Sequence, residues 1–449
     1  MSFAKQIWWI IALLANTLNF SHGAEPTSAA HDWPDFLGPQ RNAKSTETGL
    51  NWNWPAAGPP IVWGVPLGTS YSQPTIAAGR LFHFDRYGDV ARLTCRDAVT
   101  GEELWTLDHP TEYEDLLGYN NGPRCTPAVD DEHVYTMSAE GILQCANVAD
   151  GERVWMIDTM EKFGVVQNFF GVGSTPVVFE DVVIANIGGS PPNSPPNVYA
   201  GQVRGNGSGV VAFDKRTGEV HWQASDELAS YASPVIATID GRPWCFVFAR
   251  GGLVGLDPRR GKVEFEFPWR SKLLESAIAS SPVVVGDEVF ISESYELGSA
   301  LLRARPGGFD EVWTDRNKRR DQSLLLHWNT PVVLDGYLYG SSGRHSGQAE
   351  LRCVEWKTGR VMWSKPGLRW SSMFYVDGHL LCLSEDGTLR VLRPNPEKYD
   401  ELAVVQFRDS NGLPLLREPV WVAPALADGK LYLRGKDRLV CFELRSKSL

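Results

Sequence analysis

Apolar runs of four to eight residues, rich in Val, Ile, Tyr and Phe, alternate along the chain with short polar turns, a pattern that predicts β-strands joined by tight connections. One unit recurs: a small or polar residue and Pro, an apolar strand, a turn, a second strand, a Gly-rich hairpin, a third strand, then Asp-x-x-Thr-Gly-Glu and Trp. The clearest copies end at Trp105, Trp155, Trp222 and Trp363, each with Gly four residues earlier (Gly101, Gly151, Gly218, Gly359). A fifth keeps the spacing with Phe265 in place of Trp, and a sixth, ending at Trp313, is offset by one residue. The Pro at the head of each unit is a second ruler: Pro74, Pro127, Pro176, Pro234, Pro282, Pro331 and Pro424, with Met373 in the slot of the unit that lacks it. Seven intervals span 350 residues, or 50 each, with room for four strands per unit. Four short strands repeated at this period predict an all-β fold, an eight-bladed β-propeller, whose radial repetition leaves only short protected edges. The last unit has room for three strands before Leu449, and its missing outer strand, with its Trp, is found at Ile61-Val62-Trp63. Pairing of the two chain ends in one blade is therefore expected to close the ring. A seven-bladed ring is the alternative, since the unit around Met373 is degenerate.

Repeats of the form apolar-x-Cys/Ala-x-Asp-x-x-Thr-Gly-Glu-x-x-Trp resemble the tryptophan-docking motif of the PQQ-repeat propellers, over roughly residues 61 to 445. That superfamily contains quinoprotein alcohol dehydrogenases and an outer-membrane assembly lipoprotein of the BamB type. The segment Trp33 to Asn42 also resembles the start of secreted bacterial propellers of this class. In this reading Trp63, Trp105, Trp155, Trp222, Trp313 and Trp363 are scaffold, each a flat side chain laid between neighbouring blades. Cys95, Cys145, Cys353 and Cys441 share one repeat column, filled elsewhere by Ala212 and Gly255, so the column requires a small buried residue. Cysteines in different blades lie too far apart to bridge, and seven is an odd number, so free buried thiols are expected.

A strand order of this kind places the segments leading into each innermost strand on one face, together with the hairpins between second and third strands. Three residues before each opening position stand Tyr71, Arg124, Gly173, Tyr231, Ala279, Trp328, Trp370 and Trp421, which predicts a funnel with stacking faces and one cation. The hairpins add Asp85, Arg86, Arg250, Glu293, Arg344, His345, Glu385, Asp386 and Arg434 to the rim. From both sets Tyr71, Arg124, Tyr231, Trp328, Trp370, Trp421, Arg86, Arg250, Glu293 and His345 are the candidate ligand-binding residues. The Pro- and Gly-rich insertion Gly188 to Gly209 is expected to cover the funnel as a lid. Arg316, Lys318, Arg319 and Arg320 form a basic patch in a connecting loop, suited to solvent or to an acidic partner.

Charge and the first residues narrow the function class. A formal net charge of −11 argues against a general nucleic-acid binder. Lys5, the apolar run Ile7 to Leu14 and the small residues before Gly23 read as a signal peptide, residues 1–23, too short to span a bilayer. A leader at 24–60 and a propeller domain at 61–449 follow. No Cys precedes Cys95, so a lipoprotein signal is absent and the expected product is exported, soluble and periplasmic or extracellular. Metal-protease, P-loop, nucleophile-elbow and kinase motifs are all missing. The resemblance implies PQQ and calcium for the dehydrogenases, which carry two adjacent cysteines beside the cofactor and a carboxylate and amide set for calcium, but no Cys-Cys pair occurs here. The leading expectation is thus a noncatalytic, monomeric binding or scaffolding propeller of the cell envelope. It has no catalytic residues, metal or cofactor of its own and holds a protein or polysaccharide segment at the funnel face. A PQQ- and calcium-dependent dehydrogenase is the alternative, and a glycan-binding module the second.

Overall fold

The computed structural model describes residues 31–446; the expected signal peptide lies outside them. Eight four-stranded antiparallel sheets form eight blades. The first comprises Thr75–Ala77, Arg80–Tyr87, Val90–Asp97 and Glu103–Pro110. Six further blades of the same order follow, and their innermost strands begin at Ala128, Val177, Val235, Val283, Val332 and Ser371. In the eighth, Ala425–Ala427, Lys430–Arg434 and Arg438–Glu443 are completed by Ile61–Pro66, which pairs antiparallel with Arg438–Glu443. Eight blades and the noncovalent join therefore stand as the repeats implied. The degenerate unit is a full blade, with Met373 paired to Cys382.

Local chemistry explains the repeat. In the first blade the Asp97 carboxylate accepts from the backbone N–H of Val99 (2.9 Å) and Thr100 (2.7 Å), which shapes the turn to the outer strand. Gly101 then takes φ +76°, and a Cβ there would lie 2.7 Å from the Trp63 ring of the preceding blade, so both backbone and space require Gly. Successive Trp side chains repeat the arrangement: the indole N–H of Trp63 donates to Ala98, of Trp105 to Val148, of Trp155 to Lys215, of Trp222 to Pro258 and of Trp313 to Trp356, always a backbone carbonyl of the next blade at 2.8–3.2 Å. The small column lies directly across the ladder from these rings, with Cys95 opposite Trp105, Cys145 opposite Trp155, Ala212 opposite Trp222 and Cys353 opposite Trp363. All seven Cys are free and buried.

From the first blade to the sixth, the residue before the opening Pro has a separate duty. Its backbone N–H donates to the hydroxyl of the equivalent residue one blade on: Gln73 to Thr126, Thr126 to Thr175, Thr175 to Ser233, Ser233 to Ser281 and Ser281 to Thr330, at 3.0–3.2 Å. Pro cannot donate, so this N–H is the last donor before the strand, and the hydroxyl ladder satisfies it while locking neighbouring blades.

The leader is not a tail. Trp33, 1% exposed, exchanges backbone hydrogen bonds with Ile76, and Tyr375 pairs with Ala43 and Ser45, so the segment takes up the inner strand edges of the first and seventh blades. Arg41, 6% exposed, binds Asp35 and donates to the carbonyls of Pro234 (2.7 Å) and Pro176 (2.6 Å). The central channel is therefore plugged by residues 33–45.

Candidate functional site

Above the plug lies a cavity of about 440 Å³. The leader residues Phe36 and Leu37 and the pre-Pro ring residues Gln73, Thr175, Ser233 and Thr330 line it, together with Met373. Leu37 is fixed by Gln73, whose side-chain amide accepts from the Leu37 N–H (3.0 Å) and donates to the carbonyls of Ala423 and Pro424. The walls are the loops leading into the innermost strands, which place Tyr71, Arg124, Tyr231, Trp328, Trp370 and Trp421 around the cavity with Arg344 and His345.

These rings form a nearly continuous belt. Tyr71 and Trp421 lie 5.1 Å apart between ring centroids, Trp421 meets Trp370 at 6.1 Å and Trp328 at 6.3 Å, and Trp370 stacks on His327 at 4.5 Å and 21°. On the other side the Arg124 guanidinium sits 5.8 Å from the Tyr71 ring and 5.7 Å from Phe170, which leads to Tyr231 at 5.5 Å. The belt is held from behind. Trp370 donates to the Gly343 carbonyl (2.7 Å), Trp421 to the Glu385 carboxylate (2.9 Å), and the Tyr231 hydroxyl accepts from the Phe170 N–H (3.0 Å). Arg124 is neutralised by buried Asp115 at 2.5 Å and donates to the carbonyls of Gly122 and Asn120.

Burial holds His327 down to about 4, helped by the neighbouring His345 and Arg344, so its imidazole is neutral at pH 7. Polar atoms without a partner gather on residues of the same wall: Trp328 Nε1, Asn329 Oδ1, Ser372 Oγ and His327 Nδ1.

Three candidates lie elsewhere. Arg86 is spent on the carbonyls of Gly88, Tyr113 and Asn121 and braces a loop. Arg250 packs 5.6 Å from the Phe169 ring outside the cavity, and burial lowers its pKa to about 10. Glu293 is buried, accepts from the Ser276 hydroxyl at 2.5 Å, and is pushed up to about 7 by desolvation. Asp85 and Arg434 are likewise not rim groups: both are buried, and Arg434 and His83 each bond the Asp85 carboxylate, which ties the first blade to the eighth. The insertion Gly188 to Gly209 is not a lid either. It packs beside the funnel, with Val198 bonded to Gln167 and Tyr199 against Phe169 at 5.0 Å, and none of its residues lines the cavity.

Sequence reading missed Phe36 and Leu37, and also Leu117, Tyr119, Phe169, Phe170, Tyr295 and His327. Leu117, Tyr119, Phe169, Phe170 and Tyr295 sit in loops and hairpins whose lengths differ between blades and so have no repeat column to mark them, while His327 adjoins Trp328 in a column of mixed residue types. Phe36 and Leu37 had a signal, the apolar Trp33 to Leu37 segment, but its destination is a tertiary fact.

The residues present do not fit a quinone with calcium. The lining supplies one carboxylate, Glu275, and no Cys, and among the described residues no three His, Cys, Asp or Glu side chains gather as metal ligands.

Ring closure and repeat together define a PQQ-repeat propeller. The chain belongs to the family described as outer membrane protein assembly factor BamB, whose model matches residues 56–190 and 186–365. Among solved structures it is similar to a quinohemoprotein alcohol dehydrogenase from Comamonas testosteroni (13% identity, 93% of this chain and 81% of that chain, TM-score 0.63). It is also similar to BamB from Moraxella catarrhalis (13% identity, 87% of this chain and 99% of that chain, TM-score 0.56). At such identity the likeness is one of fold. No curated protein matches the sequence. Among the described residues no helix is long and apolar enough to cross a membrane.

Proposed function

We propose that this chain is a noncatalytic, exported binding propeller of the bacterial cell envelope that holds a segment of a partner macromolecule in the aromatic funnel. The observation that carries this reading is the belt of Tyr71, Trp421, Trp370, Trp328 and Tyr231 around a cavity floored by the chain's own leader. Stacking faces with few charges favour binding by ring contact, and the bound group engages from one face only, as a chain end or a bent segment. The absence of a calcium donor set from the lining speaks against the dehydrogenase alternative. Intrinsic tryptophan fluorescence of the full chain, titrated with oligosaccharides and with peptides, tests the proposal. A saturable change abolished by Trp370→Ala is expected. Failure of every oligosaccharide and peptide to perturb the emission would overturn it.

A further inference from the structure

An open groove runs off the funnel at Arg344 and His345, residues that line groove and cavity alike. Its walls carry Lys272, Arg316, Lys318, Arg319, Arg344 and Arg352 against two carboxylates, Glu296 and Glu350. On a chain of net charge −11 this is a local reversal of sign. Part of the charge is already spoken for: Lys318 pairs with buried Asp315 at 3.0 Å and Arg352 with Glu350 at 3.0 Å, while Arg316 lies over the Phe267 and Trp269 rings. Lys272, Arg319 and Arg344 enter none of the ion pairs found among the described residues; Arg344 lies 4.8 Å from the Tyr295 ring, beside the cavity wall, where its charge also acts on buried Glu293.

We propose that the segment held in the funnel is an anionic polysaccharide, one whose sugar rings carry carboxylate or sulfate groups, with a terminal ring in the cavity and the following rings along this groove. The inference rests on the binding reading given above and adds the chemistry of the ligand. Cation and aromatic wall are adjacent: the groove supplies Arg344 where it meets the belt, and the belt supplies the rings of Trp370 and Trp421 that line the cavity. Hydroxyls donate and accept, which suits a wall that carries the polar side chains of Asn329 and Ser372. An acidic peptide fits less well. Extended peptides are commonly held by adding a strand to an open sheet edge, and the leader already occupies inner edges at Ile76 and Tyr375.

The test titrates the full chain with oligogalacturonate, sulfated dextran oligomers, neutral dextran oligomers of equal length and poly-glutamate, read by tryptophan fluorescence at two salt concentrations. Both anionic glycans are expected to bind more tightly than the neutral one, with affinity falling as salt rises. Lys272→Glu combined with Arg319→Glu, both exposed positions, should weaken the anionic glycans about ten-fold, the scale of two exposed ion pairs, and leave thermal unfolding unchanged. Binding of one anionic glycan alone identifies carboxylate or sulfate as the preferred group and supports the proposal. Equal affinity for neutral and anionic oligomers, indifference to the double charge reversal, or tighter binding of poly-glutamate would overturn it. If the neutral glycan or the peptide binds and Trp370→Ala abolishes that binding, the funnel reading survives and the anionic assignment falls; if nothing binds, both fall.

Discussion

Replacing Arg41 by Met tests whether the leader is an integral plug. Arg41 is 6% exposed, its partner carboxylate Asp35 is 17% exposed at the side chain, and the same guanidinium satisfies the carbonyls of Pro176 and Pro234. Met keeps most of the aliphatic volume but leaves a carboxylate and two carbonyls without donors. Removing one partner of a buried pair costs about 3–5 kcal/mol, and the partial exposure of Asp35 places the expectation near the lower end, about 3 kcal/mol. The companion Asp35→Asn with Arg41→Met removes the stranded charge and should recover at least half of that loss. A pH dependence follows with a definite sign. Burial raises the Asp35 pKa even with Arg41 present, and Arg41 opposes the rise, so the single variant holds its proton to still higher pH when folded. Its folded state then binds more protons than its unfolded state, and its stability falls as pH rises, making the penalty smaller in mild acid than at neutrality. Urea unfolding followed by tryptophan emission reads all three quantities. A single variant within about 0.5 kcal/mol of wild type, or a double variant no better than the single, would refute the plug as an energetic element.

Further outcomes follow from the same geometry. Gly261→Ala places a Cβ 2.5 Å from Trp222 Cε3 at φ +66° and should destabilise by about 2–4 kcal/mol, as strain and overpacking add; wild-type urea stability would contradict the blade contact. Glu293 and His327 titrate in opposition: Glu293, raised to about 7, makes stability fall as pH rises from its ordinary range, whereas His327, lowered to about 4, makes stability fall as pH drops below its ordinary value. Glu293→Gln should therefore make the stability of the variant rise relative to wild type as pH increases from roughly 4.5 to 7, and an unchanged difference between the two across that range in thermal melts would contradict the Glu293 burial. The buried thiols, Cys245 and Cys441 raised to about 12 and Cys95, Cys353 and Cys382 to about 11, should be silent to a thiol reagent in the folded chain and react after denaturation. Rapid labelling of the native protein would contradict that burial.

What could be read in advance follows from repetition. Eight copies of one unit average out local ambiguity, so blade number, the Trp contacts and the closing strand at Ile61–Pro66 were legible. The position three before each opening Pro was likewise visible as a column, and Tyr71, Arg124, Tyr231, Trp328, Trp370 and Trp421 surround one cavity. Single-copy features were not. Hairpin charges looked alike in sequence, yet Asp85 and Arg434 face each other across a blade junction and become buried, while Arg344 stays at the rim. The path of Trp33 to Ser45 through the channel depends on Arg41 meeting carbonyls some 135 and 193 residues away, a contact that no local pattern encodes.

The proposed binding of a macromolecular segment at the funnel excludes quinone chemistry there. The most direct measurement is alcohol-dependent dye reduction by the full chain incubated with PQQ and calcium, alongside fluorescence titration by the same quinone. No reduction above a protein-free control and no saturable quenching are expected. Turnover or saturable quenching that disappears in Trp370→Ala would contradict that exclusion.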